Sequence, residues 1–204
     1  MDEYYRMKEK ISSAGQNHPI KALLFCSCRP AEGNSTVLTQ FALTLASGGD
    51  QVFVVDANLR TPSLHQAFRL EREDGLTELC FGKRKLEEVV KKTQFDNLWV
   101  ITSGTPHPNP FMIFQKQVLD SHIEQMKAGA DWVLFDSPPV NSYPDSSTLA
   151  RKVDGTVMVV QAERTRWQVA RRNIERLENG NGNFLGVILN KRKFYIPGWL
   201  YKTL

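Results

Sequence analysis

A doubly wound α/β domain with a mainly parallel sheet is what three features of this 204-residue sequence predict. Six short apolar runs recur along it, most of them continuous rather than alternating, as strands covered on both faces require. Amphipathic helical patterns lie between runs, and that alternation implies parallel strands joined by crossovers. Chemically loaded segments follow three of the runs, and open sheets of this kind hold ligands beyond the carboxyl ends of their strands.

In chain order, the runs are Ala22–Cys26, Val52–Val55, Leu98–Ile101, Trp132–Phe135, Thr156–Val160 and Phe184–Leu189. Val37, Leu38, Phe41, Ala42 and Leu45 form a helical stripe that stops at Gly48-Gly49. Pro110 to Met126 reads as one helix, and Trp167, Ala170, Ile174 and Leu177 mark another that stops at Asn179-Gly180. No internal repeat, linker or low-complexity segment interrupts the order, so residues 1–204 are expected to form a single domain. Residues 1–18 read as an N-terminal helical arm and 191–204 as a basic, aromatic tail.

Composition narrows the classes. The formal net charge of +4 is mild, and the arginines concentrated in the last third read as solvated helix faces. No recognised nucleic-acid module accompanies them, and no nucleic-acid partner is expected. No apolar run approaches bilayer length, and Met1 to Ile11 mixes charged and aromatic residues unlike a signal or transit peptide. A cytoplasmic location is therefore expected. Cys26, Cys28 and Cys80 lack neighbours at ligand spacing and read as small strand or loop residues.

After the first run comes Ser27-Cys28-Arg29-Pro30-Ala31-Glu32-Gly33-Asn34-Ser35-Thr36, then a helix. This is the strand–loop–helix setting of a phosphate-binding loop, whose backbone N–H groups and helix N-terminus face phosphate oxygens. Gly33 permits close backbone approach, and Ser35 stands where a loop hydroxyl would hold Mg²⁺. Alone, the segment reads equally well as an ordinary strand-to-helix turn capped by Ser35 or Asn34. Asp56 closes the second run and Asp136 the fourth, and two strand-end carboxylates beside such a loop point to a Mg²⁺ site shared with Ser35.

These segments together resemble the kinase domain of the bacterial tyrosine kinases, which work with capsular and exopolysaccharide co-polymerases. The family pattern Ser-x-x-Pro-Gly-Glu-Gly-Lys-Ser-Thr is matched by Ser27, Pro30, Glu32, Gly33, Ser35 and Thr36. Val55-Asp56-Ala57-Asn58-Leu59-Arg60-Thr61-Pro62-Ser63-Leu64-His65, Gly75-Leu76-Thr77, Ser103-Gly104 through Pro108-Asn109-Pro110, Asp136 to Pro139 and Leu185 to Asn190 match further family segments in order. The resemblance implies a P-loop NTPase fold of the class that also contains partitioning and division-site ATPases. It implies ATP or ADP and Mg²⁺ as cofactors, bound through Ala31, Glu32, Gly33, Asn34, Ser35 and Thr36, with Asn190 at the purine. Asp56 and Asp136 would be catalytic and, with Ser35, metal-holding. It also implies a membrane polysaccharide co-polymerase or chain-length regulator as partner, a place at the inner face of the cell membrane, and a homo-oligomer with Glu3 and Arg6 at its contacts. Tyr195 and Tyr201 stand where the family has a phosphoacceptor cluster.

Four departures shape the expected function. Asn34 replaces the loop lysine, Ala31 a loop glycine, Asn58 a second carboxylate, and Glu9 an arginine of the oligomer motif. An amide donates hydrogen bonds but brings no charge, and losing one pre-organised donor costs on the order of 10²–10³ in kcat. The expectation is a regulator of capsular or exopolysaccharide biosynthesis and export that binds nucleotide but is impaired in phosphoryl transfer, a pseudokinase. The alternatives are an active tyrosine autokinase in which another cation, Arg29 being nearest in sequence, substitutes for the lysine, and a partitioning-type ATPase switch.

Overall fold

The computed structural model describes residues 2–15 and 19–192. Its elements follow in the order α1(Asp2–Ala14), β1(Ala22–Ser27), α2(Asn34–Ser47), β2(Val52–Asp56), α3(Leu64–Phe68), α4(Leu76–Cys80), α5(Leu86–Val89), β3(Val90–Lys92), β4(Leu98–Ile101), α6(Phe111–Phe114), α7(Val118–Gly129), β5(Trp132–Asp136), α8(Asp145–Ala150), β6(Gly155–Gln161), α9(Trp167–Asn179) and β7(Phe184–Asn190). The strands form one sheet in the order β3-β4-β2-β5-β1-β6-β7. Every pairing is parallel except that of β3 with β4. The predicted doubly wound, mainly parallel architecture is thus present.

Alternation of Cβ atoms along each strand divides the core into two layers. Leu23 and Phe25 of β1 face α1, α2 and α3, where Ile11, Val37, Leu38, Phe41, Leu45 and Leu64 close one layer. Leu24, Cys26 and then Cys28 face the other layer with Leu79, Phe114, Ile123, Leu149, Ala170 and Leu177 from the helices after β2. Phe41 contacts Phe25 and Trp132 with ring centroids 5.9 Å away from each, so α2 is held directly over β1 and β5. All three cysteines are buried and free, as small packing residues would be.

Two expectations need correction. A seventh strand, β3, runs antiparallel at the sheet edge. Its three residues, Val90-Lys91-Lys92, carry one apolar side chain and give no strand pattern. The Pro110–Met126 helix is in fact two, α6 and α7, broken at Gln115–Gln117. Phe114 and Leu119 are both buried, and a separation of five residues places them on different sides of a continuous helix. The chain breaks instead, with i→i−3 bonds from Lys116 N to Ile113 O and Leu119 N to Lys116 O.

β1 lies between β5 and β6, and the chain leaves it in one direction for β2 and returns later to β6 on its other side. Its carboxyl end is therefore the place where a ligand crevice opens. Further out, Leu76 N donates to Thr102 O at 2.8 Å and Thr77 N to Ser103 O at 3.1 Å. The Glu78 carboxylate accepts from Gly75 N at 2.9 Å and Thr105 N at 3.2 Å. These bonds explain why Gly75-Leu76-Thr77 and Ser103-Gly104 occur together: they knit two loops.

A Cβ on Gly75 would collide with Thr102 O and Gly104 N, both backbone atoms with nowhere to move. Gly75→Ala is expected to destabilise the fold by about 2 kcal/mol or more. Denaturant unfolding checks this, and an unchanged midpoint contradicts the packing described.

Candidate nucleotide site

The loop after β1 is shaped by its own side chains. Ser27 Oγ donates to Arg29 O at 3.0 Å. Glu32 is buried and turns its carboxylate inward, where Oε2 accepts from Cys28 N at 2.8 Å and Arg29 N at 2.9 Å. Its Oε1 accepts from Gln161 N and the Thr165 hydroxyl, tying the loop to the end of β6. Ala31 and Gly33 take left-handed conformations, with φ of 64° and 92°. Such alternation bends a chain so that successive amides line a concavity. The first helical bond runs from Val37 N to Gly33 O, and no side chain caps α2. The N-terminal amides of α2 therefore remain available to an anion.

The end of β7 holds the loop from outside. Asn190 Nδ2 donates to Glu32 O at 2.8 Å, Asn190 Oδ1 accepts from Lys191 N, and Lys191 Nζ donates to Ala31 O at 2.8 Å. Gly33 suits its positive φ, and a Cβ there would also have to displace the Asn190 amide from Glu32 O.

Beneath the loop, the two strand-end carboxylates come together. Asp56 and Asp136 are register partners on β2 and β5 and both are fully buried. Ser35 Oγ donates to Asp136 Oδ2 at 2.6 Å. Asn34 Nδ2 reaches Asp136 Oδ1 at 2.6 Å and Phe25 O at 2.9 Å, so its side chain turns down to the strands. Asp56 Oδ2 accepts from Ser63 N and Leu64 N at 3.1 and 3.0 Å. Asp56 Oδ1 and Asn34 Oδ1 are buried without a partner.

Burial, then the neighbouring Asp136 charge, raise the Asp56 carboxyl to about 8 against the opposing pull of the Leu64, Ser63 and Asn58 amides. Burial raises Asp136 to about 6, opposed by the hydrogen bonds from Ser35 and Asn34. Among the described residues no lysine or arginine pairs with either carboxylate.

A cavity of about 360 Å³ opens between the loop, Asn58, Thr61 and Ser63 after β2, and Ser137, Pro139 and Tyr143 after β5. Of the residues expected to bind nucleotide, Ala31, Glu32, Gly33, Asn34, Ser35 and Thr36 line it, whereas Asn190, Asp56 and Asp136 are not among the lining residues. Asn58 uses Oδ1 to accept from Thr61 N and Oγ1, closing its own turn. Arg29 is not among the lining residues. Glu3 and Arg6 are exposed on α1, whose inner face is tied down by Ile11 and a Lys8–Asp50 ion pair of 2.6 Å. Tyr195 and Tyr201 lie outside the described residues.

Two features escaped sequence reasoning. Lys191 read only as part of a basic tail, although its place directly after the strand-end Asn190 is a signal that it sits beside the loop. Arg60 donates to the buried Asp145 at 3.0 Å and stacks 4.4 Å from the Tyr143 ring centre, fixing the wall of the cavity. Nothing in the spacing of Arg60 and Asp145 announces that pair.

A curled loop running into an uncapped helix, above paired strand-end carboxylates, is the arrangement of a P-loop NTPase fold, and the family model described as ParA, NUBPL iron-transfer P-loop NTPase, matches residues 20–200. Within that class the chain belongs to the bacterial tyrosine kinase family. It is similar to the tyrosine-protein kinase YwqD of Bacillus subtilis (strain 168), with 31% identity over 94% of this chain and 81% of the relative. The tyrosine-protein kinase CpsD of Streptococcus agalactiae is 32% identical over 93% of this chain and 83% of its own length. In fold, it superposes on the kinase domain of Escherichia coli tyrosine kinase ETK with a TM-score of 0.90 at 24% identity, covering 97% of this chain and 78% of that one.

Carboxyls raised in the folded state bind protons there that the unfolded chain has already lost. Stability of the metal-free protein is therefore expected to fall as pH rises from the ordinary carboxylate range to about 8, the raised position of Asp56. Asp56→Asn should flatten that dependence and raise the melting temperature at pH 8. Thermal unfolding in chelator at pH 5 and pH 8 checks both, and a wild type more stable at pH 8 with no change in the variant contradicts the account.

Ala31→Gly removes a left-handed alanine, a conformation that costs an L-residue roughly 1–2 kcal/mol, less the extra freedom glycine gives the unfolded chain. A small gain in stability, below about 1 kcal/mol, is the expected outcome of chemical denaturation.

Proposed function

We propose that this chain is a bacterial tyrosine kinase-type regulator of capsular or exopolysaccharide biosynthesis and export, which binds an adenine nucleotide with Mg²⁺ in the loop cavity and is impaired in phosphoryl transfer. The observation that carries this reading is the Asn34 side chain, which donates to Asp136 and to Phe25 O. The position from which the family's lysine would reach the terminal phosphates offers no charge, while the loop amides and the helix N-terminus that hold a polyphosphate remain.

The residues suit Mg²⁺. A hydroxyl and two carboxylates converge, and Asp56 Oδ1 is an oxygen without a partner. In this reading Ser35, Asp56 and Asp136 hold the ion, which when bound supplies positive charge to the β- and γ-phosphates. Glu32 acts through the loop: its carboxylate holds the curl, and its backbone takes part in the cradle. Asn190 and Lys191 hold the same curl from the β7 side. The names of the relatives support the kinase-type reading, and the resemblance supports a membrane polysaccharide co-polymerase as partner, a place at the inner face of the membrane and self-association through Glu3 and Arg6. No helix among the described residues is long and apolar enough to cross a membrane.

A second reading, an active autokinase with a substitute cation, draws support from Lys191, whose ammonium lies on the loop at Ala31 O. The two readings separate in one assay. Calorimetry should register Mg·ADP binding to the wild type, and Asp136→Ala should weaken it about tenfold or more. Incubation with Mg·ATP should give little phosphotyrosine, and Asn34→Lys should tighten ATP binding. Phosphotyrosine formed as fast as by a lysine-bearing relative would sink the impaired reading, and its loss in Lys191→Met would point to the second. Absence of any nucleotide binding would remove both.

A further inference from the structure

We propose that the edge of the sheet where β7 meets the first turns of α9 is a docking surface for an anionic lipid bilayer, with Trp167, Val187 and Leu189 entering the headgroup region and the arginines around them meeting its negative charge. The inference makes no use of the loop cavity. It rests on the proposed function in one respect, that a domain working with a membrane co-polymerase operates beside a bilayer.

Val187 and Leu189 are exposed because the sheet extends beyond its helical cover. They pair in register with Met158 and Val160 of β6, so all four side chains point to one face of the sheet. Met158 and Val160 are buried in the layer that α9 closes with Ala170 and Leu177. One strand further out, Val187 is 48% and Leu189 58% exposed.

Trp167 joins them from the helix. It is 62% exposed, and with Arg171, Ile174 and Glu178 it follows one flank of α9 at three- and four-residue spacing. The opposite flank faces the segment after β5, where Arg176 donates to Asn141 Oδ1 at 3.3 Å. The Trp167 flank is therefore turned towards β7, against which α9 packs. β6 and β7 are parallel, and α9 runs back between them, so its first turn stands at the carboxyl end of the sheet, as Leu189 does.

The charge around this edge points outward. From Gln161 to Arg192, seven lysines and arginines stand against three glutamates, an excess of four that equals the net charge of the whole chain. On α9 the charges oppose the helix itself. Arg166, Arg171 and Arg172 occupy its N-terminal half, where the helix dipole favours anions and where the first turn holds no acidic residue, while Glu175 and Glu178 occupy its C-terminal half. Arg171 pairs with Glu175 at 3.0 Å, but both side chains are exposed and such a pair contributes little. Among the described residues Arg164, Arg166 and Arg172 form no ion pair. Cations held against their own helix gain most from negative charge outside the molecule.

The apolar side chains decide which anionic partner fits. Val187 and Leu189 have no π face on which a base could stack and no polar atom for a phosphate. At a bilayer each group has a place: aliphatic side chains bury at the acyl boundary, an indole sits at headgroup level, and arginines reach lipid phosphates while their stems stay apolar.

The test sediments the full chain with vesicles of phosphatidylcholine alone and of phosphatidylcholine with an equal part of phosphatidylglycerol. Binding is expected to the second and not the first, and to fall as salt is added. Arg166→Glu with Arg172→Glu should weaken it about tenfold or more, and Trp167→Ser with Val187→Ser should do so by about the same factor. All four positions are exposed, so both double variants should keep the wild-type melting temperature, which separates lost docking from lost folding. A wild type that stays in solution with both vesicles overturns the inference and leaves the nucleotide reading intact. Equal binding to both vesicles overturns it too, as does anionic binding that both variants retain, the result expected if residues 193–204 carried it. Retained vesicle binding with lost capture of the co-polymerase's cytoplasmic segment would assign the patch to a protein partner and overturn the lipid reading. Anionic binding with the stated dependence, in a chain that takes no ADP, supports the surface and sinks only the nucleotide reading.

Discussion

Asp56 and Asp136 end adjacent strands, and parallel register delivers both carboxylates to one point beneath the loop, where neither touches water. Two charges so placed repel each other and lack solvation, and several features of the site answer that problem. The turn after β2 brings the amides of Ser63 and Leu64 to Asp56, Ser35 reaches down from the first turn of α2, and Asn34 swings its amide inward beside it. The polar groups at the cavity floor are arranged around this pair. Burial of this kind raises both carboxyls, Asp56 to about 8 and Asp136 to about 6, so that near neutral pH the pair keeps a proton in place of one charge.

The loop above the pair depends on a third carboxylate with a different task. Glu32 is buried, and its two oxygens join the loop's own amides to the end of β6. From the other side, Asn190 and Lys191 fasten the carbonyls of Glu32 and Ala31. The loop's carbonyls and interior are thus engaged from β6 and β7, while the N-terminal amides of α2 carry no side-chain cap. A loop that gives its Cys28 and Arg29 amides to Glu32 and leaves the first amides of α2 without a side-chain cap is biased towards anions at that helix end.

The sheet was legible because its strands are continuous apolar runs, and α2 and α9 because their apolar positions keep helical spacing. β3 was not, since an edge strand of three residues needs only backbone pairing with β4. The break between α6 and α7 was hidden for a related reason: each half keeps its own pattern, and only the joint burial of Phe114 and Leu119 requires the interruption. At the site, strand-end position singled out Asp56 and Asp136, and place in the loop singled out Ser35, which bonds Asp136. The direction of the Asn34 side chain could not, because its acceptors lie on β1 and β5, and residue 136 is far away along the chain. The same holds for Arg60 on Asp145 and for Lys191 on the loop, which are products of tertiary contact.

The three departures at the loop and beside it are each accommodated by local contacts. Ala31 accepts the left-handed turn that glycine would make freely, and the Lys191 bond to its carbonyl helps to hold it there. Asn58 directs its oxygen to Thr61 and so serves its own turn. Asn34 keeps a hydrogen bond to Asp136 that an ammonium could also make, but does so as a neutral group. A hydrogen bond and a charge act differently on this chemistry. The first preserves the geometry of the loop over the carboxylates, and the second offsets charge as it builds up on the departing phosphate. Substituting an amide for an ammonium at this one point separates the two, which is why the proposed function pairs a retained phosphate cradle with impaired transfer.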